Sequence, residues 1–241
     1  MDNKRRQILK AGLLGTGALA FGSPLQLSQA KNYVNFNGNS LRILILGGTG
    51  FLGPHMVREA LKRGHDVTLF NRGRTNNTLF PDIETLIGDR NNGLDALNGH
   101  NWDVVIDNSG YVPRHVRDSA RLLAPVTSHY IYTSTVSAYA SLAEPLNEDA
   151  PLAKIADESI EKVTPDTYGP LKALCEKRVA QEFGEERLSI LRPTYVAGPG
   201  DHTDRYTYWL ARTLLGGEMV WPGTSKDMIQ IIDVRDLAKF T

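Results

Sequence analysis

The sequence predicts an α/β fold: a doubly wound, mostly parallel sheet with helices on both faces. Three observations carry this. Short apolar runs alternate with stretches of helical period along most of the chain. The first apolar run stops at a glycine-rich turn that opens a helix. The segments between runs are long enough for crossover connections, which parallel strands require.

Each element follows in order. Residues 41–46 are an apolar run ending at Gly47 and Gly48, as a strand buried on both faces should. Residues 55–63 are helical and stop at Gly64, and 65–70 form the second strand. Residues 83–87 and 103–107 read as the third and fourth strands, 115–123 as a helix and 129–134 as the fifth strand. A polar, proline-marked loop covers about 140–166, followed by a helix over 170–183 that Gly184 ends. Residues 189–192 are a sixth strand, 206–215 a helix and 228–232 a last strand. Asp233-Val234-Arg235-Asp236 then opens a helix that has run about two turns when the sequence stops at Thr241, so a fragment is expected. One domain is expected over 41–241, with the start of a small, truncated C-terminal lobe at about 195–230.

Composition narrows the classes. Lys and Arg number 27, as do Asp and Glu, so the 241-residue chain has no formal net charge. That balance argues against a nucleic-acid binder driven by phosphate neutralisation, and no nucleic-acid partner is expected. Hydrophobic residues at 41% and charged residues at 22% describe an ordinary globular chain. A lone cysteine, Cys175, excludes an intramolecular disulfide and reads as a small packing residue. His55, His65, His100, His115, His129 and His202 lack metal-ligand spacing, so no metal is expected.

The first 30 residues differ from the rest. Lys4, Arg5, Arg6 and Lys10 stand against Asp2 alone, and a Gly/Ala-rich apolar stretch and Ser28-Gln29-Ala30 follow. Basic, apolar and small in that order is an export signal, and Arg5-Arg6 resembles the twin-arginine type that sends folded bacterial proteins across the inner membrane. A periplasmic or envelope location is therefore expected, with membrane contact only through that signal. Residues 31–40, holding four asparagines, read as a linker.

The turn Gly47-Gly48-Thr49-Gly50-Phe51-Leu52-Gly53 lies between a strand and a helix. Glycines are needed there for the tight turn, for backbone approach to a pyrophosphate and for helix–sheet packing. The helix start offers N–H groups and a positive dipole end to phosphates. Gly47, Thr49, Gly50, Phe51, Leu52 and Gly53 are thus candidate dinucleotide contacts. An acid at the end of the second strand would take the ribose 2′-OH of NAD, but Asn71 stands there with Arg72 and Arg74 after it. Arg72 leans the cofactor, NAD(P), toward NADP; two solvated loop arginines are the plainer alternative. Asp89 and Arg90, after the third strand, are placed near an adenine, and Asn108 and Ser109, after the fourth, near the inner ribose.

Three further stretches make the pattern specific: Thr133-Ser134-Thr135-Val136-Ser137-Ala138-Tyr139, Tyr168-Gly169-Pro170-Leu171-Lys172, and Leu191-Arg192-Pro193-Thr194 with Gly198-Pro199-Gly200-Asp201. With the glycine turn, they resemble the extended short-chain dehydrogenase/reductases, which include the NAD-dependent epimerases and dehydratases. The resemblance implies a Rossmann domain, an NAD(P) cofactor contacted also by Lys172 and Pro193, and a catalytic set of Tyr168, Lys172 and a hydroxyl four residues before Tyr139. That hydroxyl is Thr135, with Ser134 next to it.

The chemistry suits these residue types. Hydride transfer at a carbinol needs a group that moves the hydroxyl proton. A free tyrosine titrates near 10, and a nearby ammonium is expected to lower that value. Spacing i, i+4 at a helix start puts Tyr168 and Lys172 on one face, with Pro170 tolerated in the first turn. Tyr195 and Arg205 are candidate substrate contacts; packing of the aromatic group Tyr206, Tyr208 and Trp209 is equally open.

Dehydrating family members carry Asp-Glu after the strand-five hydroxyl, where this chain has Val136 and Ser137. The resemblance therefore implies a transient-hydride epimerase acting on a sugar or nucleotide-sugar hydroxyl or ketone. Export favours such redox-neutral turnover, because free cofactor is scarce outside the cytosol. An NADPH-dependent reductase or dehydrogenase of a small carbonyl substrate is the alternative. A further one is a non-catalytic nucleic-acid-binding protein, since Phe70-Asn71-Arg72-Gly73 resembles atypical relatives that bind stem-loop RNA. A homodimer through helices flanking the sheet would fit such a fold.

Overall fold

The computed structural model describes residues 40–143, 146–221, 223–224 and 226–241. The expected export signal, and the linker apart from Ser40, lie outside the described residues.

Six parallel strands form the main sheet: β1 (Arg42–Leu46), β2 (Asp66–Asn71), β3 (Thr85–Ile87), β4 (Trp102–Asp107), β5 (Thr127–Thr133) and β6 (Leu188–Leu191). Their spatial order is β3-β2-β1-β4-β5-β6, so the chain leaves β1 in one direction and returns to its other side at β4. That reversal opens a crevice at the carboxyl ends of β1 and β4, the place where such sheets receive ligands. Three long helices cross over the sheet: α1 (Gly53–Lys62), α2 (Pro113–Leu123) and α3 (Pro165–Phe183).

Alternation along each strand feeds two cores. Leu44 and Leu46 of β1 face Val116, Ala120 and Leu123 of α2 and Cys175, Val179 and Phe183 of α3. Ile43 and Ile45 face Met56, Val57 and Ala60 of α1, and Val234, Leu237 and Ala238 on the last helix, α5 (Val234–Phe240). Asp233 caps that helix by accepting from the Arg235 N–H at 2.8 Å.

The remaining elements depart from the sequence pattern in two ways. Residues 228–232 were expected to supply a last strand of the main sheet. The strand is β8 (Ile231–Asp233), and it pairs in parallel with β7 (Tyr195–Ala197) in a separate two-stranded sheet. Helix α4 (Thr207–Leu215) makes the crossover between them. Three residues between Pro193 and Gly198 are too short to show a period, and their partner lies 36 positions on, with Tyr195 opposite Ile231.

The second departure concerns α3. It starts at Pro165, not at Pro170, because Thr164 and Thr167 form a reciprocal capping box. Pro170 is therefore interior to the helix rather than in its first turn. Its missing N–H leaves the Asp166 carbonyl unclaimed by the helix, and Asp166 is exposed, so water can take that carbonyl. The neighbouring Gly169 is required by contact: a Cβ there would collide with the Ser137 carbonyl, so α3 lies directly on the turn that follows β5.

Gly53 obeys the same logic. A Cβ would strike the Gly47 carbonyl and the Gly48 backbone, whereas Gly50 has open space around it and no need of a positive φ. Gly53→Ala should cost about 1–3 kcal/mol by pushing α1 off β1. Gly50→Ala should stay within about 0.5 kcal/mol of the parent, as an ordinary surface change does. Urea unfolding midpoints of the two variants check the contrast.

Candidate functional site

A cleft of about 1500 Å³ opens over the carboxyl ends of the strands. The glycine turn forms one end of it. Gly47 adopts φ +86°, and α1 begins with Pro54 in its first turn and no side-chain cap from Leu52. Leu52 and Gly53 at that helix start line the cleft, and the His55 N–H is taken by the Leu52 carbonyl at 3.1 Å. Thr49 is buried, and its carbonyl is held by the Asn76 side-chain amide at 3.0 Å. Phe51 and Leu52 line the cleft beside the glycines.

At the end of β2, the Asn71 side chain accepts from the Gly73 N–H at 2.7 Å, which shapes the loop carrying Arg72 and Arg74. Both arginines are exposed and line the cleft. Asp89 turns its carboxylate to the Asn91 N–H at 2.9 Å and also borders the cleft.

Two expected ribose or adenine contacts are committed elsewhere. Arg90 is buried, and its terminal nitrogens are engaged by Asp107 and Ser119 at 2.6–2.8 Å. Asn108 accepts from the Thr133 hydroxyl at 2.8 Å and points its amide nitrogen at the Met56 sulfur. Both residues line the cleft, and these internal bonds fix how their side chains sit in its wall. Ser109 stays at the wall, with its N–H on Asp107 at 3.0 Å.

The opposite wall gathers Ser134, Thr135, Tyr168 and Lys172. Thr135 follows β5 and caps a short 3₁₀ turn by accepting from the Ser137 N–H at 3.2 Å. Ser134 is tied by its N–H to the Leu191 carbonyl at 2.7 Å, while its buried hydroxyl has no partner among the described residues. Pro193 accepts from the Val136 N–H at 3.1 Å, which holds the end of β6 against the same turn. Tyr168 comes in on the second turn of α3, its N–H on the Thr164 carbonyl at 2.9 Å.

The electrostatics differ from expectation. Lys172 was expected to lower the Tyr168 phenol. Burial instead raises that phenol above the usual tyrosine value, and the groups pulling it back are the Thr135 hydroxyl and the charge of Arg205. The Lys172 ammonium is directed to the Gly110 and Thr133 carbonyls, each at 2.7 Å, and lies 4.2 Å from the Tyr132 ring centre. Burial brings its own pKa down to about 8.

Tyr195 and Arg205 meet at the cleft mouth, the guanidinium 5.1 Å from the ring centre. Three participants were not singled out from sequence. Tyr111 packs 6.3 Å from the Tyr168 ring; it directly follows Asn108-Ser109-Gly110 at a strand end, which was the available signal. Asp107 is a fully buried carboxylate. Arg192 pairs with buried Glu176 at 2.8 Å and with the Tyr139 hydroxyl at 2.9 Å, pinning the Glu148 carbonyl of the long loop.

Comparison with known proteins follows the same lines. Residues 43–241 match the NAD dependent epimerase/dehydratase family. The chloroplast stem-loop binding protein of 41 kDa b from Arabidopsis thaliana is 29% identical over 215 residues, covering 82% of this chain and 53% of that protein. A 3-beta-hydroxysteroid dehydrogenase from Mycolicibacterium neoaurum is 27% identical, covering 67% of this chain and 49% of the relative. The chain thus spans about half the length of these curated relatives. Among solved structures, the Bordetella bronchiseptica enzyme WbmG in complex with NAD superimposes with a TM-score of 0.68 at 18% identity, covering 85% of this chain and 68% of that one. At that identity the likeness is one of fold. With the match over residues 43–241, the chain belongs to the NAD dependent epimerase/dehydratase family.

Proposed function

We propose that the cleft holds a nicotinamide dinucleotide and that this chain carries the cofactor-binding and proton-moving part of an epimerase-like enzyme acting on a sugar-type hydroxyl or ketone. One observation carries the reading: the Thr135, Tyr168 and Lys172 side chains share one wall of a cleft whose far end is the glycine turn. The residues fit the cofactor. Gly50 leaves open space where any side chain would intrude, the start of α1 has no side-chain cap, and Asn71 and the two exposed arginines border the place for an adenosine ribose.

When bound, the dinucleotide would supply a ring that accepts a hydride and returns it. The chain's residues do the rest. Thr135 orients the reacting oxygen by its hydroxyl. Tyr168 takes and returns the proton of that oxygen. Lys172, held by the Gly110 and Thr133 carbonyls, supplies a positive charge on the same cleft wall, where the inner ribose would lie. Tyr195 and Arg205 flank the open side, where a polar or anionic substituent of the substrate would lie. Asn71 in place of an acid, with Arg72 behind it, favours NADP.

The basic and apolar order of residues 1–30 supports an exported protein, and a returned hydride needs no external cofactor supply. Similarity to a hydroxysteroid dehydrogenase favours a second reading, net oxidation or reduction of a carbonyl substrate. The stem-loop binding relative raises RNA binding, against which the balanced charge stands.

Mass and absorbance of nucleotide released from denatured, as-purified protein test the first claim. A retained dinucleotide is expected, and an empty site with tight stem-loop RNA binding would overturn it. Gly50→Ala should weaken dinucleotide binding at least about tenfold, because its Cβ displaces the pyrophosphate.

Tyr168→Phe should lower kcat by about 100-fold or more with dinucleotide affinity unchanged. The acidic limb of the pH–rate profile should report the raised phenol. Thr135→Val removes a donor that stabilises the phenolate, so that limb should move to higher pH, measured on the same substrate as the parent.

A further inference from the structure

Beneath the cleft lies a charged cluster that the proposed chemistry does not use. Arg90 follows β3 and is 8% exposed, and Asp107, the last residue of β4, is wholly buried. Nη1 of Arg90 donates to both Asp107 oxygens at 2.6 and 2.8 Å, and Nη2 donates to the Ser119 hydroxyl on α2 at 2.6 Å. Asp107 also accepts from the Tyr130 hydroxyl at 2.8 Å and from the Ser109 N–H at 3.0 Å.

Stability is a poor reason for such a pair. Burying two charges is costly, and apolar side chains of similar volume often serve a core as well or better. This pair also leaves the Arg90 Nε buried without a partner among the described residues. What the pair does achieve is local. By taking the Ser109 N–H, Asp107 closes the turn over 107–110, and Gly110 lies so close that a Cβ would sit 3.0 Å from the Asp107 Oδ2. The Gly110 carbonyl then receives two donors, the Tyr132 hydroxyl and the Lys172 Nζ, each at 2.7 Å.

The geometry points to Arg90 and Asp107 as positioning residues for Lys172: the ion pair fixes the 107–110 turn, and that turn presents the carbonyl that holds the ammonium at the cleft wall. The catalytic consequence rests on the function proposed above; the positional claim does not.

Electrostatics add a signature. Facing Lys172 are Cys175 and Glu176 from its own helix, Tyr132 from β5, Tyr111 from the loop after β4, and the Arg90–Asp107 pair. Asp107 favours the charged lysine and Arg90 opposes it, so the two act against each other while the pair is intact.

The test uses the dinucleotide-free full chain with 15N-labelled lysine, following the Lys172 ammonium by NMR and assigning it with Lys172→Arg. In the parent the midpoint should lie at about 8. Asp107→Asn should lower it, and Arg90→Gln should raise it, each by about one pH unit. Unchanged midpoints in both folded variants would overturn the proposal. Should either single variant fail to fold, the neutral double variant Arg90→Met/Asp107→Asn decides. Its Lys172 ammonium protons should exchange with water about tenfold faster, because the bracketed turn is loosened. A native exchange rate there would reduce the pair to packing. Loss of catalysis in Tyr168→Phe is read separately, so failure of the enzymatic proposal and failure of this one are distinguishable.

Discussion

A single buried ammonium joins the parts of the cleft. Lys172 is 3% exposed, and its Nζ reaches the Gly110 carbonyl after β4 and the Thr133 carbonyl at the end of β5. A charge removed from water must be met by polar partners, and these two are backbone groups whose positions the sheet dictates. The bonds therefore fix how α3 lies along the strand ends. Once that register is set, Tyr168, one turn earlier, comes to face Thr135, and Gly169 meets the Ser137 carbonyl without room for a side chain. The placement of Tyr168 and Thr135 at the cleft wall follows from where one lysine finds its acceptors.

The glycine turn imposes the matching condition on the other end. Gly53 brings the start of α1 against the backbone of Gly47 and Gly48, so the helix N–H groups and the strand ends border one cavity. Between the two ends, the loop after β4 is stiffened from below by the Arg90–Asp107 pair and from the side by Asn108, which links β5 to α1. Arg90 and Asn108 thus border the cleft and at the same time tie its wall together.

What the sequence made legible was local. The strand–glycine–helix junction and the four-residue spacing of Tyr168 and Lys172 each depend on neighbouring positions, so their periods and residue types were sufficient. The fate of Arg90 was not legible, because its acceptor lies 17 residues away and only the packed sheet brings the two together. The partners of Asn108 were not legible for the same reason: a strand-end position puts it at the cleft but says nothing of Thr133 and Met56 coming within reach. The pairing of Tyr195 with Ile231 carries no sequence period at all. The early start of α3 was masked by Pro170, which reads as a first-turn residue unless the upstream Thr164 and Thr167 box is given priority.

Pro170 also stands between the phenol and the ammonium on the same helix. The backbone there lacks one rung of its ladder, and helices bend most readily where a rung is missing. The turn that carries Tyr168 is consequently coupled to the anchored turn that carries Lys172 by a softer joint than an unbroken helix would give. Bending at that joint would move the Tyr168 ring relative to the Lys172 ammonium, which stays moored to the Gly110 and Thr133 carbonyls.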